Sequence, residues 1–597
     1  MPEHEVSATE TSPLLPKNAS SLQSVPSKTI EPSDGRAPNG AIANGSLNKP
    51  SSLSSSSAST HSSDSIDGGD LERQSTTASA ADRKRKAEGL PDVKKKMKYI
   101  LPALAIGIFL SAADQTIILD CYGVSLRAYT PSTNKSREVL RVPGSSRYFL
   151  TLTSFQPLYG KLSDIFTRKS CLLFAYLVFG LGCLFCGLAR NMNELIAARA
   201  FAGIGGGGMT TVVSILLSDT VPLRERGKWQ GYVNIIYATG AGVGAPLGGI
   251  LADYIGWRWA FLFQAPLCLV AFLAVSMILK LPARDQSNWK AKLRRIDFLG
   301  AVILIAAVFT LLLGLDRGSN VSWRDKVTLV ALCTSLPLFA IFIGVEMKVA
   351  AEPFAPGHII FERTLFACYL CNFFSFCGWL AALFYIPLFF QAVDGLSATQ
   401  AGVRLIPGII CGVSGSLFAG FYMQRTAKYY WLTVIAYSCL VIGMTTIFLF
   451  SGIIANSTLG MIAGMCVCGF SNGIGVTTSL IALIANSSHE DQAVATACSY
   501  LFRSLGSVFG VSLSATVANA TLRSSLVDAL GSGTAAADIA ARVRESLGYI
   551  GTLEPAVRDL VRQCYAKSTR AAFGLEIGLV AGAAVAAWFI RERALSR

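Results

Sequence analysis

Histidine is nearly missing from this chain, and charge is scarce. Four histidines occur in 597 residues, at His4, His61, His358 and His489. None falls inside an apolar run, which excludes a histidine proton relay within a membrane. Charged residues make up 15% of the chain, against about 25% in an average soluble protein. No Walker-type phosphate loop is present, so energy for work must come from an ion gradient or another subunit. No Ser/His/Asp grouping or metal-ligand cluster survives its sequence context. The chain is therefore not read as an enzyme, and no cofactor or metal is expected.

The 15 cysteines form no disulfide framework, because most lie within apolar runs (Cys183, Cys186, Cys368, Cys371, Cys466, Cys468). The two CxxC spacings lack a second ligand pair and read as packing.

Long apolar runs take up most of the remainder. The chain is 52% hydrophobic with mean hydropathy +0.47, unevenly spread. Residues 1–98 are rich in Ser, Ala, Pro and Asn and predict a disordered tail. The net charge of +15 does not point to nucleic acid. Its basic clusters (Arg83 to Lys86, Lys94 to Lys98, Lys290 to Arg295, Arg591 to Arg597) flank apolar runs, where positive charge marks the cytoplasmic side.

Fourteen spans are expected, at about 99–119, 148–160, 171–189, 194–217, 229–252, 259–281, 297–315, 327–348, 366–390, 401–422, 431–452, 458–484, 493–518 and 572–590. The fold class is thus an all-α polytopic membrane protein. An even count with Lys94 to Lys98 at its start predicts both termini in the cytoplasm. The sequons at Asn134, Asn320, Asn456 and Asn519 then face the far side as glycosylation candidates, and Asn486 stays bare. Residues 519–571 predict a long luminal loop. The second span, about 13 residues or ~20 Å of helix, is short for a core of about 30 Å. The segment before it, Cys121 to Arg147, is anomalous in carrying several basic residues on the far side.

Charges inside apolar helices cost roughly 2.5–3.5 kcal/mol on insertion scales and are functional candidates. These are Asp114 in the first span, Arg199 in the fourth, Arg503 in the thirteenth and Glu576 in the last. Asp114 could load and release a proton, or form a fixed pair with Arg199. The loop GKLSDIFTRK, Gly160 to Lys169, joins two spans. Its Asp164, Arg168 and Lys169 suggest a gate whose charges pair across the mouth in one conformation. GAGVGAPLGG, Gly240 to Gly249, predicts a closely packed hinge, with Pro246 kinking the helix. The run Gly203 to Gly208 matches GxGxxG formally but sits in an apolar helix, and reads as close helix packing rather than a dinucleotide loop.

Together these motifs resemble the major facilitator superfamily. GKLSDIFTRK looks like its loop signature, Arg199 with Gly203 its fourth-helix motif, and GAGVGAPLGG its antiporter motif. The Asp114–Gln115–Thr116 run resembles the fourteen-helix drug:proton antiporters. LSDTVPLRERGKWQGY (Leu217 to Tyr232), GWRWAFLFQAP (Gly256 to Pro266) and FFQAVDGLSATQAGVRLIP (Phe389 to Pro407) look like fungal vacuolar basic amino acid transporters.

The resemblance implies two six-helix bundles, residues 99–281 and 366–590, with two inserted helices in the linker 282–365 and a short C-terminus, 591–597. A midplane site between the bundles would be reached by alternating access. Asp114, Gln115, Thr116, Arg199 and Gly203 would form the proton-coupling and substrate path. Gly160, Asp164, Arg168 and Lys169 would form the cytoplasmic gate, and Gly240, Gly244, Pro246, Gly248 and Gly249 the hinge. Two departures stand out. Thr167 occupies a position where the family has Gly, and part of Cys121 to Arg147 reads as foreign to the family, such as a retained intron.

In the tail, Glu10 with Leu14 and Leu15 fits an acidic dileucine signal for a sorting adaptor. Three functions fit the chain. They are proton-coupled antiport of Lys, Arg or His into the vacuole, drug or toxin efflux at the plasma membrane, and a non-transporting membrane sensor or scaffold. The expected partners are a small cationic substrate, protons and membrane lipid, with no nucleic acid. On the first function, Asp114→Asn is expected to abolish proton-driven transport in a protein that still folds.

Overall fold

The structure is a computed structural model. It describes residues 91–129, 144–279, 297–320, 322–348, 357–488, 490–530 and 547–595. In chain order the helices are α1 (Pro91–Tyr129), α2 (Gly144–Ile165), α3 (Arg168–Leu188), α4 (Met192–Thr220), α5 (Leu223–Tyr254), α6 (Trp257–Leu262), α7 (Gln264–Ile278), α8 (Phe298–Asn320), α9 (Lys326–Lys348), α10 (Gly357–Ile360), α11 (Arg363–Ala392), α12 (Ala398–Val403), α13 (Ile406–Thr426), α14 (Tyr430–Phe450), α15 (Thr458–Asn486), α16 (Gln492–Leu530) and α17 (Pro555–Ala587). A helix pairs its interior backbone groups within itself, the condition a bilayer imposes. The 21 residues of α3 give about 31 Å of helix, enough to cross the hydrocarbon core.

Local sequence sets several helix starts. The Asn191 side chain accepts from the Glu194 N–H to begin α4, and Glu362 accepts from Leu365 N–H to begin α11. Ser397 and Gln400 form a reciprocal capping box at α12.

Helices α1 to α5 and α7 enclose one apolar core, built around Tyr159, Tyr176, Phe179, Met209 and Val212, and Trp257, Ala260 and Phe261 of α6 join a smaller one beside it. Helices α11 to α17 enclose another, around Tyr369, Phe389, Tyr437, Met444 and Phe573, which Leu304, Val308 and Leu312 of α8 join. Helices α8 and α9 pack on each other, and α8 also lies against α2 and α16. The Trp323 indole N–H donates to the Thr516 hydroxyl at 2.9 Å, tying the α8–α9 connection to α16.

Twelve described helical segments are long and apolar enough to cross a membrane. The second and fifth expected spans are long helices as well, α2 of 22 residues and α5 of 32, and several of their side chains lie outside the described residues. Two sequence expectations are corrected. First, α2 is not short: it runs 22 residues, about 33 Å. Its ends carry residues too polar for an apolar window, yet the helix continues through them. Second, much of residues 519–571 is helical, because α16 continues to Leu530 and α17 begins at Pro555. Leu522, Leu526, Val561, Cys564 and Tyr565 form a small core there. Charges such as Arg558 and Asp559 end the apolar pattern without ending the helix. The central part of the anomalous segment, residues 130–143, the linker residues 281–296, residues 531–546 and the tail signal Glu10, Leu14 and Leu15 lie outside the described residues.

Candidate functional site

The loop between α2 and α3 holds a branched ion pair. Arg168 Nη2 lies 2.7 Å from Asp164 Oδ1, and its Nε lies 2.7 Å from Asp219 Oδ2 at the end of α4. Nη1 also donates to the Ser163 hydroxyl at 2.9 Å. These partners all belong to the first bundle, so Arg168 braces three helices of one half. Lys169 takes no part, since it donates to the Ser276 carbonyl at 2.7 Å. Gly160 does meet the other half: a Cβ there would stand 2.6 Å from the Ala497 Cβ.

Thr167 sits at φ 132°, ψ 151°, a region that L side chains rarely occupy and that costs about 1–3 kcal/mol. Its hydroxyl accepts from the Ser170 N–H and caps α3. The tight turn forms, and Thr167 occupies it under strain.

Asp114 and Arg199 come together across 85 residues of sequence. One guanidinium nitrogen, Nη1, lies 2.7 Å from each carboxylate oxygen. Their side chains are 0% and 1% exposed. The Gln264 amide donates to Asp114 Oδ1 at 3.2 Å. Tyr148 and Phe261 place their rings 4.4 and 5.4 Å from the guanidinium carbon. The pair is desolvated and shielded from water in this conformation. Gly203 packs on the α2 backbone beside Tyr148 and Thr151, Gly207 on the same helix, and Gly205 on the α3 backbone. This close packing holds Arg199 against its surroundings. Next to Asp114, Gln115 accepts from the Tyr237 hydroxyl at 2.9 Å, and the Thr116 hydroxyl bonds the Ala113 carbonyl.

The glycines of α5 form a ladder. Cβ atoms on Gly240, Gly244 and Gly248 would stand 2.6, 2.5 and 2.7 Å from the carbonyl oxygens of Phe109, Ala113 and Ile117. Every fourth residue of α5 thus meets every fourth carbonyl of α1. The surroundings of Pro246 and Gly249 are not among those described.

The two bundles meet along α5 with α13 and α2 with α16. Near the α2–α3 loop, Arg224 donates to the carbonyls of Gln424 (2.6 Å) and Arg425 (3.1 Å). Deeper, Ser214 bonds Tyr500 at 2.5 Å, Ser504 donates to Gln156 at 2.9 Å, and Asn234 donates to Ser416 at 2.8 Å. Beyond Asn234, Tyr237 is 38% exposed. The halves are therefore sealed at the loop end, with a polar surface past the seal.

Arg503 lies within this interface and Glu576 does not. Glu576 is fully buried in the second core with Ser514 beside it. Of the glycosylation candidates, Asn456 is exposed in a turn. Asn519 is exposed on helix α16 rather than in a loop, Asn134 lies outside the described residues, and the Asn320 side chain is not described. Asn486, expected bare, donates to the Tyr429 hydroxyl. Sequence reasoning missed Asp219 and Gln264 as partners, although both fall within the runs quoted for the family resemblance. It also missed Ser214 and Tyr500, for which no local signal exists.

The sequence profile of the Major Facilitator Superfamily matches residues 104–511. The chain is 37% identical over 497 residues to the Schizosaccharomyces pombe vacuolar membrane amino acid uptake transporter fnx2, covering 83% of this chain and 84% of that one. It is 37% identical over 496 residues to the multidrug resistance protein fnx1 of the same yeast (81% and 92%). It is 35% identical over 451 residues to vacuolar basic amino acid transporter 2 of Saccharomyces cerevisiae (72% and 93%). Among solved structures, the proton:xylose symporter XylE bound to 6-bromo-6-deoxy-D-glucose shares the fold. The TM-score is 0.54 at 16% identity, over 84% of this chain and 98% of that one.

Proposed function

The chain belongs to the major facilitator superfamily and is an integral membrane transporter, and from that premise we propose that it exchanges cytosolic Lys, Arg or His for protons of an acidic vacuole. The observation that carries proton coupling is the sealed Asp114–Arg199 pair. A carboxylate held by a cation in one conformation, and released in another, takes up a proton when its partner leaves. The relatives named for vacuolar amino acid transport support the substrate class and the membrane.

In this proposal the termini and the α2–α3 loop face the cytoplasm, and the sealed loop end makes this the lumen-facing state. Opening parts the Arg224 and Gly160 contacts, while the bundles close at the far end. Arg168, with Asp164 and Asp219, sets how α2, α3 and α4 move together. The tail signal at Glu10, Leu14 and Leu15 would engage a sorting adaptor.

The test is uptake of labelled Lys and Arg into ATP-energised vacuolar vesicles, with and without the protein. Uptake should fall when the protein is removed and collapse when the proton gradient is dissipated. Uptake unchanged by removal ends the proposal. The relative named for multidrug resistance favours a second function, drug export. Plasma-membrane localisation with altered drug sensitivity would establish that function instead.

A further inference from the structure

Arg503 is a cation at the bundle interface without a counter-charge among the described residues. Asp114 is committed to Arg199, and Glu576 lies in the second core. No described carboxylate pairs with Arg503, and its Nε is buried with no hydrogen-bond partner. A buried donor left unpaired is costly and calls for an explanation. The rings of Phe376 and Tyr500 lie 4.8 Å from the guanidinium carbon. Aromatic contacts of this kind hold a guanidinium by its faces and leave the in-plane N–H fork for a ligand.

Position also fits. On α16, Tyr500 and Ser504 both bond the first bundle, so Arg503 stands between two residues that bridge the halves. It is ten residues beyond Ala493, about 15 Å along the helix from the sealed end. Past the seal on α5, Tyr237 is 38% exposed. The Tyr237 hydroxyl donates to Gln115, which leaves its oxygen lone pairs free to accept from an ammonium group.

We propose that Arg503 receives the carboxylate of the substrate, so that the site selects a zwitterionic amino acid over the same cation without its carboxylate. Bidentate carboxylate recognition is what a guanidinium fork does best. A simple organic cation entering this space meets an uncompensated positive charge and finds no carboxylate partner on Arg503. The inference rests on the amino acid function above and names the group that confers it.

The experiment uses the purified full-length protein and measures binding by ligand-induced thermal stabilisation. The probes are lysine, arginine, their decarboxylated analogues cadaverine and agmatine, and tetraphenylphosphonium. Lysine and arginine should stabilise the wild type at concentrations at least tenfold lower than cadaverine and agmatine. Arg503→Gln should weaken lysine about tenfold or more and leave cadaverine unchanged, removing the discrimination. Arg503→Lys should restore part of it. Because the readout is a ratio between two ligands on one protein, a general loss of stability does not mimic it. If lysine binds but Arg503→Gln preserves the lysine-to-cadaverine ratio, the Arg503 assignment is wrong while amino acid binding stands. If tetraphenylphosphonium stabilises the wild type and no amino acid does, both fall.

Discussion

Arg199 approaches both oxygens of Asp114 through a single guanidinium nitrogen, at 2.7 Å each, with water excluded from both side chains. Removing one partner of such a pair leaves a buried charge uncompensated, at a cost of roughly 3–5 kcal/mol. Asp114→Asn should therefore lower thermal stability as well as abolish proton-driven transport, in a protein that still folds. Adding Arg199→Gln should recover most of the stability and none of the transport. A double variant no more stable than the single one would show that the pair is not the stabilising unit.

Thr167 carries strain that glycine does not. Thr167→Gly should relieve about 1–3 kcal/mol and give back part of that through lost capping and added chain freedom. A net gain of roughly 1 kcal/mol is expected, seen as a higher melting temperature in detergent. Thr167→Ala keeps the strain and loses the cap, and should be about 1 kcal/mol less stable than wild type. The opposite ranking would contradict the strained turn.

Gly420 and Gly227 touch across the sealed end. A Cβ on Gly420 would lie 2.6 Å from the Gly227 carbonyl oxygen. Gly420→Leu should block closure there, abolishing transport while the protein remains folded. The check is a cysteine at Ala497, which is fully buried against the first bundle. Ala497→Cys should resist an impermeant maleimide in the otherwise native protein and react in the Gly420→Leu background. Equal protection in both would show that the contact does not control the seal.

Asp394, in the connection after α11, offers a pH test. Burial raises its carboxyl above the ordinary value of 3.8, against hydrogen bonds from Asn456 and Thr458 and the charges of Arg404 and Arg562. The folded state thus holds this proton more tightly than the unfolded chain does. Its contribution to stability is present at low pH and is lost as pH rises through the raised value. Asp394→Asn should be the more stable protein at neutral pH, with the difference shrinking as pH falls toward 3.8. Melting temperatures of both proteins across that range provide the measurement.

Much of this arrangement was readable from the residues. Asp114 and Arg199 were conspicuous because charge inside an apolar run is rare, and the small residues of Gly240 to Gly249 already implied close helix packing. Asp219 was not conspicuous, because it lies at a helix end where polar residues are ordinary. Ser214 and Tyr500 are separated by 286 positions, and nothing local to either predicts the other. Helix ends were misplaced where charges such as Arg558 left the apolar pattern while the backbone stayed helical. Thr167 was identified as atypical, but only the folded turn showed that the backbone keeps a glycine-like conformation with threonine in it.

Helix α5 has two attachments along its length. Its first turns lie against α13 of the opposite bundle, and its later turns are keyed to α1 by the glycine ladder. The rod that plugs one end is therefore the rod that walls the other. If it stays straight, it works as a lever, and a leak with both ends open at once would require it to bend.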